Sequence, residues 1–498
     1  MAEATFWNSG NARVTMPGLM LASIVLAVTV IRIVTLSADP LPLSVDEAQY
    51  WLWAQSLDFG YFSKPPVVAW LIAATTRICG DGEVCVRLSA PILHAMTTLV
   101  LFAAANTLFD RSVAGWSALV YLLLPGVSVS ARIISTDVPL LLCWAIAFWG
   151  LARAVTAQHK GWWWVTGAAV GVGLMSKYAM ILFPICGVLA ALLSPDIRRR
   201  LSLRGVMAAA CIAVVIVMPN LVWNARHGFP SIGHAATNLA NAGAPIDLVR
   251  AFEFLAAQFA VFGPITCAVL LMGGIGMFVR RSLVAHEDAL LLAFSLPIIA
   301  AVTAEAWLAR AHANWAAPAY IAGSIFAARW MAARSALLLR VALAIHFTVA
   351  AIVVGAGPTA AAFGWRLPRG LDPAARERGW DAAGPWLIDL AWRYPGAMFL
   401  FDNRHAMAAG MYYARPHLNR AVMWNPKGDI DNHFEMTTDP MGHIGRDFIY
   451  VYREGPLEGG EGPFASATPL TNFSVETHPG RRLELHAKLL RSFSGYRQ

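Results

Sequence analysis

A chain of 498 residues with 57% hydrophobic and only 14% charged side chains, and a mean hydropathy of +0.54, lies too far from the about 45–50% apolar and about 25% charged usage of soluble domains to be one of them. Its 39 Gly and 28 Pro are close to average usage, which excludes collagen-like and low-complexity architectures. The net charge of +8 is carried mainly by Arg in short clusters between apolar runs, the pattern of cytoplasmic membrane loops, so no nucleic-acid partner is expected.

A helix needs about 20 apolar residues to cross the hydrocarbon. Eleven runs are candidates: 16–36, 87–109, 113–130, 134–155, 161–176, 178–194, 205–223, 258–279, 288–307, 314–328 and 337–356. The first lacks a small-residue cleavage site and reads as a spanning helix, not as a cleavable signal. The stretch Pro66 to Thr76 is about half the spanning length and is expected to lie at the interface or re-enter. Residues 161–194 read either as one helix interrupted by Lys177 or as two that turn at Ser176-Lys177-Tyr178. The positive-inside rule favours two. With a cytoplasmic N-terminus, Arg198-Arg199-Arg200, Arg280-Arg281 and Arg329, Arg334 and Arg340 then all face the cytoplasm, whereas one span would place them all outside.

This topology puts residues 37–86, the turns at Asp137 and Lys177, the loop 224–257, the segment 310–314 and the tail from 358 on the external side. The expected architecture is a polytopic α-helical membrane protein of about 11 spans (11–13) over 1–357, followed by a small external α/β domain over 358–498. In that domain, 397–401 and 446–452 read as strands and 380–394 as a helix. Cys143, Cys186, Cys211 and Cys267 sit within apolar runs as core thiols. Cys79 and Cys85 flank an external five-residue loop, where a disulfide and two separate thiols are both open readings.

Several charged residues stand where the bilayer makes charge costly. Asp46-Glu47 follow the first span closely, where an ionised group costs about 2.5–3.5 kcal/mol on a lenient scale. Such a carboxylate suits a base taking a proton from a hydroxyl nucleophile. The plainer reading is a capping box, Ser44 with Glu47 three residues on, and both hold together if Glu47 caps while Asp46 faces substrate. Lys64, stiffened by Pro65-Pro66, is an external cation suited to a phosphate or to snorkelling along the interface. Lys177 repeats that pattern. Asp137 opens a span with Pro139 two residues on, as a helix-end dipole partner or as a second acidic group. In Arg310-Ala311-His312-Ala313-Asn314-Trp315, Arg310 is a candidate phosphate ligand or a helix-end anchor. No zinc spacing, Gly-rich phosphate loop or Ser-His-Asp order is present.

On Asp46-Glu47-Ala48-Gln49-Tyr50, Tyr61-Phe62-Ser63-Lys64-Pro65-Pro66, Thr136-Asp137 and Ser176-Lys177-Tyr178, the chain resembles the family 39 polyprenyl-phosphate-sugar glycosyltransferases of the GT-C class. Its likeness is to the bacterial lipid A aminoarabinose and galacturonic acid transferases and, more distantly, to protein O-mannosyltransferases. The motifs lie within 40–180. The resemblance implies Asp46, Glu47 and Asp137 as the catalytic set, and Lys64, Lys177 and Arg310 as ligands of the donor phosphate. Tyr50, Tyr61 and His312 complete it as candidate substrate contacts. It implies an inverting displacement at the anomeric carbon in a multi-pass inner-membrane protein with a periplasmic active site. The implied partners are a polyprenyl-phosphate-linked sugar, a glycolipid or polysaccharide acceptor, and membrane lipid. No cofactor is required, and a divalent metal is compatible but not predicted, since residue 63 is Ser where several relatives are acidic. The alternatives are a protein O-mannosyltransferase-like enzyme, for which no β-trefoil insertion is visible, and a secondary transporter or flippase, which would place ionisable residues near the midplane.

Overall fold

The computed structural model describes residues 17–38, 41–156, 160–231, 233, 247–279, 285–309, 311–365, 367–372, 374–418 and 420–496. Arg310, Arg280 and Arg281 lie outside them. Eight helices matter below: α1 (Gly18–Ala38), α2 (Val45–Gln55), α3 (Val67–Cys79), α4 (Asp137–Thr156), α5 (Trp162–Leu174), α6 (Leu203–Arg226), α7 (Trp380–Arg393) and α8 (Arg404–Tyr413).

The eleven apolar runs fall largely on helix. Among the described residues, six helices are each long and apolar enough to cross a membrane: α1, Glu83–Leu108, α4, α6, His286–Leu308 and Ala336–Ala362. A pair bent by 119°, Leu248–Val261 with Pro264–Gly276, would make a seventh. The other runs form shorter helices, including α3 and Tyr178–Leu193. The chain breaks at Lys177: α5 ends, the Lys177 N–H donates to the Gly173 carbonyl at 2.9 Å, and its extended backbone leads into a new turn.

The chain forms two compact units. One contains residues up to 38, 64–68 and 87–359, and is the apolar helical bundle. Its mainly aliphatic core encloses an aromatic cluster, with ring centroids of Phe183 and Phe294 at 4.9 Å and of Trp144 and Phe183 at 5.2 Å. Where α5 meets α6, a Cβ on Gly167 would lie 2.4 Å from the Ala209 carbonyl oxygen, and one on Gly171 would lie 2.8 Å from Ile216 Cβ. Small residues four apart let two helical backbones approach this closely, the association that works in lipid, where apolar surface alone gives no drive. Arg32 of α1 is buried and donates at 2.7 Å to the Leu122 carbonyl, which the helix end at Leu123 would otherwise leave unpaired.

The other unit contains 39–63, 69–86 and 360–498, so most of the segment after α1 folds together with the tail. Its sheet has six strands: β1 (Met398–Phe401), β2 (Ala421–Met423), β3 (Phe448–Tyr452), β4 (Phe464–Pro469), β5 (Phe473–His478) and β6 (Arg481–Phe493). The order is β2-β1-β3-β6-β4, with β5 on β6. β1 is parallel to β2 and β3, with Phe401 opposite Met423 and Val451, while the pairings to β6 are antiparallel. α8 connects β1 to β2, so its first residues stand at the carboxyl end of the middle parallel strand, the edge where open α/β sheets place functional side chains. Cys79 and Cys85 form a disulfide.

Candidate active site

In the unit that contains the tail, Ser44 is the N-cap of α2. Its hydroxyl accepts from the Glu47 N–H at 3.3 Å, and the Glu47 carboxylate accepts from the Ser44 N–H at 3.0 Å. This capping box buries Glu47 and fixes the register of the helix. Its neighbour Asp46, one position earlier, points outward with its side chain 58% exposed, and Oδ1 accepts a charge-assisted hydrogen bond from Arg404. Arg404 is the first residue of α8, held by the Asn403 cap, whose side chain accepts from the His405 and Ala406 N–H groups at 2.8 and 3.3 Å.

α2 is held along its length. The Leu43 N–H donates to the Tyr413 hydroxyl at 2.8 Å. Trp51 packs edge-on to Tyr412 at 5.1 Å and donates to Asp81 at 2.7 Å. The Asp81 carbonyl, inside the disulfide-closed loop, accepts from the Tyr412 hydroxyl at 2.8 Å and from Arg415 at 2.9 Å. Trp53 stacks on Tyr61 at 4.4 Å. The Tyr61 hydroxyl donates toward the Trp53 and Ser56 carbonyls and accepts from the Asp58 N–H, and burial pushes its phenol up to about 12. Tyr50 is buried beside Trp53, its ring centroid 5.1 Å away. Tyr61 thus ties the end of α2 to the turn that follows it, and Tyr50 packs against Trp53 within α2.

In the helical bundle, Asp137 opens α4 and is almost fully buried. Lys177 Nζ donates to its Oδ1 at 2.7 Å and Asn314 Nδ2 to its Oδ2 at 2.8 Å, so both carboxylate oxygens are engaged. The two residues come from chain positions 40 and 177 away. The Val67 N–H donates to the Met175 carbonyl at 3.1 Å, joining the segment just after Lys64-Pro65-Pro66 to the turn that carries Lys177. Next to that turn, the Tyr178 hydroxyl donates to Asn220 Oδ1 at 2.9 Å and accepts from Asn224 Nδ2 at 3.2 Å. His312 is exposed, edge-on to Trp315 at 5.6 Å.

Of the nine residues that sequence singles out, the structure therefore gathers Asp137, Lys177 and the Lys64 segment in the bundle, and Asp46, Glu47, Tyr50 and Tyr61 in the other unit. Two partners were given no role from sequence. Asn314 lies inside a segment already marked as polar, but asparagine has no charge to betray a pairing. Arg404 follows Asp402-Asn403 directly after the expected strand 397–401, and that strand-to-cap turn is the signal that could have drawn attention to it. Among the described residues, no group of three or more His, Cys, Asp or Glu side chains is arranged to hold a metal ion.

A family model described as dolichyl-phosphate-mannose-protein mannosyltransferase matches residues 63–223. The lipid A galacturonosyltransferase RgtD of Rhizobium johnstonii is 34% identical over 415 residues, 83% of this chain and 86% of that protein. An undecaprenyl phosphate-alpha-4-amino-4-deoxy-L-arabinose arabinosyl transferase of Pseudomonas savastanoi pv. phaseolicola is 27% identical over 132 residues, 26% of this chain and 25% of that one. Among solved structures, ArnT from Cupriavidus metallidurans bound to undecaprenyl phosphate aligns with a TM-score of 0.67 at 18% identity, covering 95% of this chain and 98% of that one. That likeness is one of fold.

Proposed function

As the chain belongs to the GT-C glycosyltransferase family that includes the lipid A galacturonosyltransferases, we propose that it moves galacturonic acid from a polyprenyl phosphate carrier to lipid A at the periplasmic face of the bacterial inner membrane. Its reaction class is glycosyl transfer from a lipid-linked donor to an envelope glycolipid. The finer choice of sugar and acceptor is carried by one observation, 34% identity across 86% of a lipid A galacturonosyltransferase.

The chemistry is an inverting displacement. An acceptor oxygen attacks the anomeric carbon, the bond from that carbon to the phosphate oxygen breaks, and the electron pair leaves with polyprenyl phosphate. Asp46 takes the acceptor proton. Its side chain faces outward and, among the described residues, is ion-paired at Oδ1 alone, which leaves Oδ2 to accept the proton. Glu47 supports it by capping α2. Lys64, assisted by Lys177 and Arg310, balances the charge that grows on the departing phosphate, because catalysis comes from interactions that strengthen as the transition state forms. Asp137 acts as the fixed countercharge that orients Lys177. His312 lies in the polar segment with Asn314 and contacts substrate, while Tyr50 and Tyr61 stiffen the loop that presents Asp46.

The test is mass spectrometry of lipid A from cells that carry the native chain or Asp46→Asn. The galacturonate mass increment is expected to fall by about 10²- to 10⁴-fold, the usual contribution of a general base. An unchanged lipid profile at equal protein level would overturn the assignment of Asp46, and native-level modification by a sugar of different mass would overturn the galacturonate reading alone.

A further inference from the structure

We propose that Arg404, contributed by the C-terminal part of the chain, is a positioning residue for the reaction: its guanidinium fixes the carboxylate of Asp46, 358 residues away in sequence. The inference rests on Asp46 being the base. A base on a flexible, outward-pointing side chain samples several rotamers, and a misplacement of about 1 Å can cost about 10²-fold in rate. Arg404 removes that freedom at one oxygen, Oδ1, and leaves Oδ2 as the atom that takes the proton.

Three features make Arg404 a fixed point. It occupies the first helical position of α8, behind an Asn403 cap with two hydrogen bonds. It follows β1, the middle of the three parallel strands, which is hydrogen-bonded on both sides. And α8 grips α2 and its flanks at three further places: Tyr413 on the Leu43 N–H just before α2, Tyr412 on the Trp51 ring of α2, and Tyr412 again on the Asp81 carbonyl of the disulfide-closed loop that Trp51 also contacts. Those contacts place the backbone of α2, while Arg404 alone among them reaches the Asp46 side chain. The sheet domain thus has a specific part in the chemistry: it is the platform from which the base is aimed.

The distinction from a merely structural role is measurable in the full-length protein, reconstituted with a polyprenyl-phosphate galacturonate donor and lipid A. Arg404→Ala is expected to lower kcat by about 10- to 100-fold while KM for donor and acceptor stays within about twofold, the signature of an interaction used in the transition state and not in ground-state binding. Arg404→Lys keeps the charge but loses the planar fork, and is expected to recover kcat to within about tenfold of the native value. If Arg404→Ala does not accumulate, Arg404→Gln, which keeps most of the stem without the charge, is compared with Arg404→Lys. Native kcat in Arg404→Ala, or equal losses in Arg404→Lys and Arg404→Gln, would overturn the inference. Asp46→Asn is measured alongside: if it retains turnover, the reading of Asp46 as base fails, whereas a dead Asp46→Asn beside a fully active Arg404→Ala sinks only the role of Arg404.

Discussion

Of the acidic residues that the sequence singles out, Asp137 in the helical bundle and Asp46 in the unit that contains the tail are each paired with a cation, and the two pairs are built in opposite ways. Asp137 and Lys177 have side chains only 8% and 19% exposed, and Asn314 takes the second oxygen of Asp137. Asp46 and Arg404 are 58% and 37% exposed, with contact at one oxygen of Asp46. Burial with both oxygens engaged holds a carboxylate in one place between its partners. Exposure with one oxygen engaged leaves the group oriented, with its second oxygen available to a substrate. The contrast is the physical ground for giving Asp46 the proton-transfer step and Asp137 an electrostatic one.

The largest effect expected is on the buried pair. Lys177→Met strands the Asp137 carboxylate with one neutral partner and should destabilise the bundle by about 3–5 kcal/mol. Lys177→Met with Asp137→Leu, which removes both charges, should regain most of that. Thermal unfolding of the detergent-solubilised protein reads both, and a single variant as stable as the native chain would mean that the pair is solvated and the contrast is false. Next comes the helix contact that frames the Lys177 turn. Gly167→Leu forces a side chain against the Ala209 backbone and should cost about 1–3 kcal/mol by overpacking. Full stability would show that α5 and α6 are further apart than the structure has them.

The sequence carries these two regions unequally. The bundle is legible because lipid imposes one rule, long apolar runs, and because cations such as Lys64 and Lys177 stand out against it. Even the turn at Ser176-Lys177-Tyr178 follows from counting Arg clusters. The pairing of Lys177 with Asp137 is not legible, since it depends on how helices 40 residues apart in sequence rotate about their axes. In the other unit, β1, β3 and α7 show as apolar or amphipathic segments at 397–401, 446–452 and 380–394, while β4, β5 and β6 do not, because they are rich in polar and charged residues such as Arg481, Arg482, Glu484 and Lys488. That the loop 39–63 folds with the tail is not legible either, because Tyr412, Tyr413 and Arg404 carry no mark of their partners more than 300 residues earlier.

A smaller effect is expected from pH. Burial, reinforced by Arg453, Arg404 and Arg376, lowers the His405 imidazole from its ordinary value of 6.5 to about 4. The unfolded chain takes up a proton as pH falls below about 6.5, while the folded one refuses it until about 4, so stability present at neutral pH is lost across that window. The loss is on the order of 1 kcal/mol by about pH 5.5. His405→Gln should flatten this slope without changing stability at pH 8 by a similar amount. An identical acid slope in both proteins would remove His405 as its source.

The smallest effect on stability is expected where the effect on turnover is large, at Asp46 and Arg404. A double-mutant cycle with Asp46→Asn and Arg404→Gln, read by thermal unfolding, should return a coupling of about 0–1 kcal/mol, because the Coulomb gain of an exposed pair is offset by side-chain entropy and screened by salt. The same cycle on Asp137 and Lys177 should return several times more. Running both in low and high salt sharpens the test: the exposed coupling should shrink with ionic strength while the buried one holds. If the two couplings prove equal, the exposed and the buried pair do not differ as their burial implies, and the contrast between them fails.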